Sequence, residues 1–159
     1  MEIVYHPIGI IQSPFKSLES MPIQPASETS APGTVMIYSP FVEGLKDLDG
    51  FSHVILLYHL HATRKYTLTV IPFLDTEPRG VFATRAPTRP NPIGLSIVKL
   101  VRIENNILYV DQLDVLDGTP LLDLKPYVPE FDHRPDTSIG WLEQAKGKVK
   151  PKVSDDRFK

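Results

Sequence analysis

Two stretches of this chain gather side chains that could do chemistry. The first runs Gly80-Val81-Phe82-Ala83-Thr84-Arg85-Ala86-Pro87-Thr88-Arg89-Pro90-Asn91-Pro92-Ile93-Gly94-Leu95-Ser96. Pro87, Pro90 and Pro92 restrict this loop, so ordering it costs little conformational entropy. Arg85, Arg89 and Asn91 therefore sit on a stiff frame, and planar donors held that way suit carboxylates, phosphates or nucleobase edges. The alternative is a rigid connector whose arginines pair with surface acids. The second stretch is Leu113-Asp114-Val115-Leu116-Asp117-Gly118-Thr119-Pro120-Leu121-Leu122-Asp123-Leu124-Lys125-Pro126-Tyr127, in which Asp114, Asp117 and Asp123 flank a turn. A carboxylate at a strand end can accept hydrogen bonds from a ribose or an exocyclic amine. Asp117 taken alone reads as a turn cap, which leaves Asp114 as the better chemical candidate.

Three histidines form a further group. His53, His59 and His61 share a face if their segment is extended, and a metal site needs such convergence. Histidines on a strand also pack and bond to backbone, and no third-ligand pattern accompanies them, so no metal is expected. No serine-nucleophile elbow and no phosphate-binding Gly-rich loop is present. Arg64, Lys65 and Arg79 read as solvated.

The elements that must position these groups are short. Sixteen prolines in 159 residues rule out long helices. Strands are expected over Val4–Gln12, Thr34–Tyr38, Ser52–His61, Tyr66–Ile71, Gly80–Thr84, Gly94–Ile103, 107–116 and Leu121–Lys125, with a turn or two of helix over Phe41–Leu48. In the Ser52–His61 segment Val54, Leu56, Tyr58 and Leu60 face one way, and Ile55 and Leu57 the other, predicting a strand covered on both sides. Asn105-Asn106 has the chemistry of a two-residue hairpin turn. Ser17–Gly33 is a long polar loop of the kind that is usually functional or disordered. Ile139, Trp141, Leu142 and Ala145 predict a short C-terminal helix within 136–146. The whole is a mainly β domain over 1–135, a barrel or sandwich, followed by a helix and Lys-rich tail over 136–159. Neither βαβ alternation nor a G-x-G-x-x-G turn is present, so a Rossmann fold is excluded.

Composition narrows the setting. The chain has no cysteine, so disulfides, thiolate catalysis and Cys-ligated zinc are excluded. No stretch approaches the roughly 18 apolar residues of a membrane span, and the start MEIVYHPIGI does not read as a signal peptide. A cytoplasmic address is expected. The net charge of -2, from 17 Lys+Arg against 19 Asp+Glu, is not that of a protein gripping nucleic acid chiefly through phosphates. The alternating Lys146, Lys148, Lys150 and Lys152 are either a solvated tail or a phosphate contact.

Read together, IGIIQSPFK, FVEGLKDLDGFSHVILLYHLH, GVFATRAPTRPNPIGLSIVKL and LDVLDGTPLLDLKPYVPEFD resemble the TrmO (TsaA-like, VirR-like) family over nearly all of residues 7–132. The resemblance implies a single-sheeted β-barrel working as a homodimer. It implies S-adenosylmethionine bound near the subunit boundary, with the methyl group passed to N6 of a threonylcarbamoylated adenosine beside the tRNA anticodon. Carried over by position, the cofactor contacts would be Pro22, Ile23, Gln24, His61, Ala62, Arg85, Leu95, Asp111, Gln112, Leu113 and Asp114. Ile23 and Ala62 stand where the family often has more polar residues. Arg85 would hold the cofactor carboxylate, Asp111 or Asp114 its ribose or ammonium, and Leu95 with the Pro22–Gln24 backbone its adenine. Asp114 or Asp117 would accept from the amine during transfer, and Arg89, Asn91 and Lys125 would meet RNA. Longer members of the family carry a C-terminal extension that this sequence lacks. Two other readings remain open: a module that binds S-adenosylmethionine without transfer, and a metal-dependent hydrolase built on His53, His59 and His61.

Overall fold

Alternation of apolar and polar residues is what this chain uses to close a barrel. The computed structural model describes residues 1–21 and 31–145. Its strands are β1 (Gly9–Gln12), β2 (Ala31–Ile37), β3 (His53–His59), β4 (Thr69–Val70), β5 (Arg79–Gly80), β6 (Ile93–Glu104), β7 (Ile107–Leu113) and β8 (Thr119–Pro126). Six of them close in the order β1-β2-β7-β6-β3-β8, all antiparallel, while β4 and β5 pair with each other outside the ring. Closure removes every open sheet edge from the main sheet. One face of each strand fills the interior: Ile11, Val35, Ile37, Val54, Leu56, Tyr58, Val98, Leu100, Leu108, Val110, Leu113, Val115 and Leu121 form one buried cluster. The mainly β, single-sheeted, non-Rossmann architecture is as expected.

Among the described residues the helical content is small and mostly 3-10: Leu18–Ser20, Ser39–Leu45, Leu48–Gly50, Val81–Ala83 and Gly140–Ala145, with one α turn, α1 (Pro129–Asp132). The expected C-terminal helix is thus a 3-10 turn. Its Trp141 Nε1 donates to the Ala83 carbonyl at 2.8 Å and its ring meets the Arg79 guanidinium at 5.6 Å, so it lies against the loop of the first motif. The Pro22–Gln24 loop and the Lys146–Lys152 tail lie outside the described residues.

Several boundaries differ from expectation. The first strand begins at Gly9 rather than Val4, although Ile8 N still donates to Leu121 O. Tyr66–Ile71 contracts to Thr69–Val70, stopped by Pro72, and of Gly80–Thr84 only Gly80 is strand, followed by the 3-10 turn Val81–Ala83. The strand β3 is not covered on both sides. Val54, Leu56 and Tyr58 are buried, whereas Ile55 and Leu57 are half-exposed on the outer face. Their cross-strand partners Ile97 and Leu95 are exposed as well. At the β6–β7 hairpin Asn105 takes φ +55°, and Asn106 Nδ2 and O bond to Ile37 at 2.8 Å each, which ties the turn to β2.

Candidate functional site

The interior is mostly apolar, and the polar groups buried among the described residues include one connected line. Tyr58 on β3 and Ser96 on β6 both point inward, diagonally displaced across the register Leu56↔Ser96 and Tyr58↔Gly94. Gly94 has a specific reason to be glycine: a methyl there would collide with the Tyr58 ring. The phenol reaches Ser96 Oγ at 2.9 Å, and Ser96 Oγ reaches Asp114 Oδ1 at 2.5 Å. Ser96 has one proton, so donating it to an ionised Asp114 makes Tyr58 the donor to Ser96. Tyr58, Ser96 and Asp114 are 7%, 1% and 9% exposed, a buried polar chain with every member satisfied.

Asp114 reaches that position through a break in alternation. Parity along β7 would place Gln112 inside with Leu108 and Val110. Instead Gln112 adopts φ +62°, its N–H donates to Asp111 Oδ1 at 2.8 Å, and it is exposed, while Leu113, Asp114 and Val115 are all buried. A left-handed non-glycine residue costs on the order of 1 kcal/mol and persists where its surroundings fix it. Here it turns a carboxylate into the wall of the barrel. Burial lifts the Asp114 carboxyl to about 6, against the Ser96 hydrogen bond and the positive charge of Arg85, both of which pull it down. Burial, with the Asp114 charge, pushes the Tyr58 phenol far above its ordinary range, so it keeps its proton.

Beside this chain lies a small apolar pocket lined by Leu18, Met21, Tyr58, Leu60, Ala62 and Leu116, with His61 and Thr119 as polar handles. Thr119 Oγ1 donates to Leu116 O at 2.7 Å, so His61 Nδ1, 3.2 Å away, is the donor to Thr119. Leu18, Ala62 and Thr63 also line a neighbouring cleft of about 1190 Å³ bordered by Arg64, Thr67, Thr69, Thr76 and Thr88. Thr88 Oγ1 is buried without a hydrogen-bond partner.

The comparisons with known proteins can be set on this geometry. Residues 10–133 match the tRNA-methyltransferase O N-terminal domain. The chain belongs to that family. It is 53% identical to a probable S-adenosyl-L-methionine-binding protein of Pyrococcus abyssi, over 98% of this chain and 85% of the relative. It is 38% identical to the tRNA (adenine(37)-N6)-methyltransferase of Escherichia coli, over 89% of this chain and 64% of that enzyme. The crystal structure of TrmO from Pseudomonas aeruginosa superposes with a TM-score of 0.73 at 40% identity, over 89% of this chain and 63% of that one. The chain therefore spans a little under two thirds of the length of those two proteins.

The residues that the resemblance singles out fall into two groups. His61 and Ala62 line the pocket, while Asp114 sits behind it at the end of the Tyr58–Ser96 chain, and the charge of Arg85 acts on both Asp114 and Tyr58. Leu95 is 46% exposed on the outer face of β6, and Asp111 lies opposite Lys99 in the register, about 13 Å further along the strand. Gln112 is exposed and Leu113 is core. Asp117 is engaged elsewhere: Oδ1 accepts from Ser13 N at 2.9 Å and Oδ2 pairs with Lys16 at 2.6 Å, and these contacts hold its carboxyl below the usual range.

Among the residues expected to meet RNA, Arg89 is committed to its own loop. Its Nη1 donates to the carbonyls of Val81, Thr84 and Ala86 at 3.1, 2.9 and 3.3 Å, and its guanidinium lies 5.8 Å from the Phe82 ring centre. It stiffens the frame that carries Arg85. Asn91 is exposed, and Lys125 forms a solvent-exposed pair with Asp123 at 2.7 Å. The histidines do not converge: His53 and His59 stand at opposite ends of β3, roughly 20 Å apart, with His53 bonded to Ser52 and packed edge-on to Tyr127. No group of three or more His, Cys, Asp or Glu among the described residues is placed to hold a metal.

Sequence reasoning passed over Tyr58, Ser96 and Thr88. The first two carried a signal: a phenol and a hydroxyl inside otherwise apolar strand faces each need a buried partner. Thr88 carried none.

Proposed function

We propose that this chain is an S-adenosylmethionine-dependent methyltransferase acting on N6 of threonylcarbamoyladenosine next to the tRNA anticodon. The observation that carries the reading is Asp114. It is a buried carboxylate whose burial opposes its charge, joined through Ser96 to Tyr58 in the wall of an apolar pocket, with Arg85 close enough to act on it. Such a site is completed by a ligand that brings both a cation and a carboxylate on a flat apolar body. S-adenosylmethionine fits that description, and when bound it supplies an electrophilic methyl group on a sulfonium.

The residues present divide the work. Arg85 binds the carboxylate of the amino-acid end. Asp114 neutralises positive charge and can accept a proton from an amine held nearby. Leu18, Leu60, Ala62 and Leu116 exclude water from the apolar body, while His61 and Thr119 offer directional polar contacts. The stiff 81–92 loop fixes Arg85, and alignment of reacting groups is worth more to such a transfer than any single contact. Asn91, exposed at the end of that loop, meets the RNA.

A homodimer belongs to the same reading. Ile55, Leu57, Ile93, Leu95 and Ile97 make a continuous apolar strip on the outer face of β3 and β6, of a kind that calls for a partner surface. A second copy covering it brings Leu95 to the boundary and accounts for the split of the candidate residues into two groups. Charge placed at Leu95 or Ile97 (Leu95→Glu, Ile97→Glu) gives a monomer by sedimentation.

The deciding experiment is transfer of labelled methyl to tRNA with and without threonylcarbamoyl at the target adenosine, followed by nuclease digestion and mass spectrometry. An N6-methyl only on the modified adenosine supports the proposal. The relatives described as S-adenosyl-L-methionine-binding proteins favour a second reading, a binding module. Tight cofactor binding without transfer to any tRNA selects it.

A further inference from the structure

The mechanism above uses Asp114 and Arg85 and leaves Tyr58 and Ser96 without a role, although they are the buried polar side chains leading to the carboxylate. A core that needed only filling would place Phe and Ala there at no hydrogen-bonding cost. Instead β6 keeps a glycine at position 94 so that the Tyr58 ring can lie flat and its hydroxyl can reach Ser96. The chain is rooted in the closed barrel and ends on the carboxylate that the Gln112 twist turns inward.

We propose that Tyr58 and Ser96 are positioning residues for ligand binding: a hydroxyl relay that holds Asp114 through Oδ1 in a single orientation and keeps it ionised for a cationic ligand. The proposal rests on Asp114 facing S-adenosylmethionine, as argued above. Ser96 donates to Asp114, Tyr58 donates to Ser96, and the chain polarises along its length. The other groups that act on Asp114 are few. Arg85 from the 81–92 loop is the cation that bears on it. Asp111 on its own strand is set opposite Lys99 of β6, Asp117 is turned to Ser13 and Lys16, and His61 after β3 is bonded to Thr119.

The test is calorimetric binding of S-adenosylmethionine between pH 5 and 8, together with the carboxyl carbon titration of Asp114 followed by NMR in the free protein and assigned with Asp114→Asn. In the wild type, affinity is level at neutral pH and falls up to about tenfold per pH unit once Asp114 takes up a proton. Ser96→Ala removes a hydrogen bond to the ionised form, so both the binding limb and the NMR midpoint move to higher pH by half a unit or more. Tyr58→Phe, which keeps the ring and the packing, moves both in the same direction by less. If both variants titrate with the wild type, or if they lose affinity equally at every pH, the relay is merely structural and the proposal is overturned. If the wild type does not bind S-adenosylmethionine, the functional reading fails instead. The NMR midpoints then decide alone: midpoints that move in the two variants uphold the relay, and unmoved ones overturn it.

Discussion

Asp114 and Asp117 stand on either side of Val115-Leu116, and the two regions they belong to could hardly treat a carboxylate more differently. At the end of β7 the chain buries Asp114 behind Ser96 and Tyr58, and burial raises its affinity for a proton. One turn later Asp117 locks the fold. Its side chain holds Ser13 N and Lys16, its own N–H donates to Phe15 O at 2.8 Å, and Gly118 N donates to Ile11 O at 2.9 Å, fastening this turn to β1. Ser13 Oγ completes the lock by donating to Val115 O at 2.6 Å. The same residue type is held at an energetic disadvantage in one place and at an advantage in the other. A stabilising carboxylate is spent on structure; a destabilised one is available to a ligand.

The sharpest way to break the comparison is Asp114→Asn. Methyl transfer is expected to fall by about 100-fold or more, the scale of losing a preorganised electrostatic contact. Stability should move the other way. The folded carboxyl titrates at about 6 against an ordinary 3.8, so its stabilising, protonated form is fully present below the unfolded value. That contribution is lost as pH rises through 6. Denaturant melts at pH 7 should therefore show the variant more stable, by on the order of 2 kcal/mol, with the gap closing toward pH 4.

Gly94→Ala strikes the same side through packing. A methyl against the Tyr58 ring should cost about 1–3 kcal/mol and weaken cofactor binding as the phenol leaves Ser96; urea melts and calorimetry measure the two effects. Asp117→Asn should reverse the pattern of Asp114→Asn. It is expected to lose about 1–2 kcal/mol of stability while binding S-adenosylmethionine within about threefold of wild type, a margin worth only ~0.6 kcal/mol. Because its folded carboxyl is depressed, the Asp117 contribution is present above the unfolded value and is lost as pH falls through the folded one. Acid unfolding below about pH 4 should therefore shrink the difference between variant and wild type. The smallest effect belongs to Thr88→Val, which replaces an unpartnered buried hydroxyl. Stability should rise by a few tenths of a kcal/mol or stay level, and a several-fold loss of ligand affinity would show that this hydroxyl meets the ligand in the cleft.

Much of this was legible in the residues. Prolines and turn signals excluded long helices, the period-two pattern placed β3, β6, β7 and β8 within a few residues, and the TRAPTRPNPIG and LDVLDGTP stretches marked the loop and strand end on which Arg85 and Asp114 sit. These are local properties, written by fixed φ at proline and by the side-chain alternation of extended chain. What the residues could not express was pairing across the barrel. Arg89 and Arg85 look alike in sequence, yet one nitrogen of Arg89 is consumed by three carbonyls that only the folded loop brings together. His53, His59 and His61 share a face in any strand, and only the fold shows that β3 ends at His59 and that His61 beyond it bonds to Thr119. The parity of β7 pointed Gln112 inward until a positive φ reversed it. Sequence determined which chemistry the chain carries and on which short elements. The tertiary structure decided which groups are desolvated, because burial and diagonal contact depend on strands distant in sequence meeting in one register.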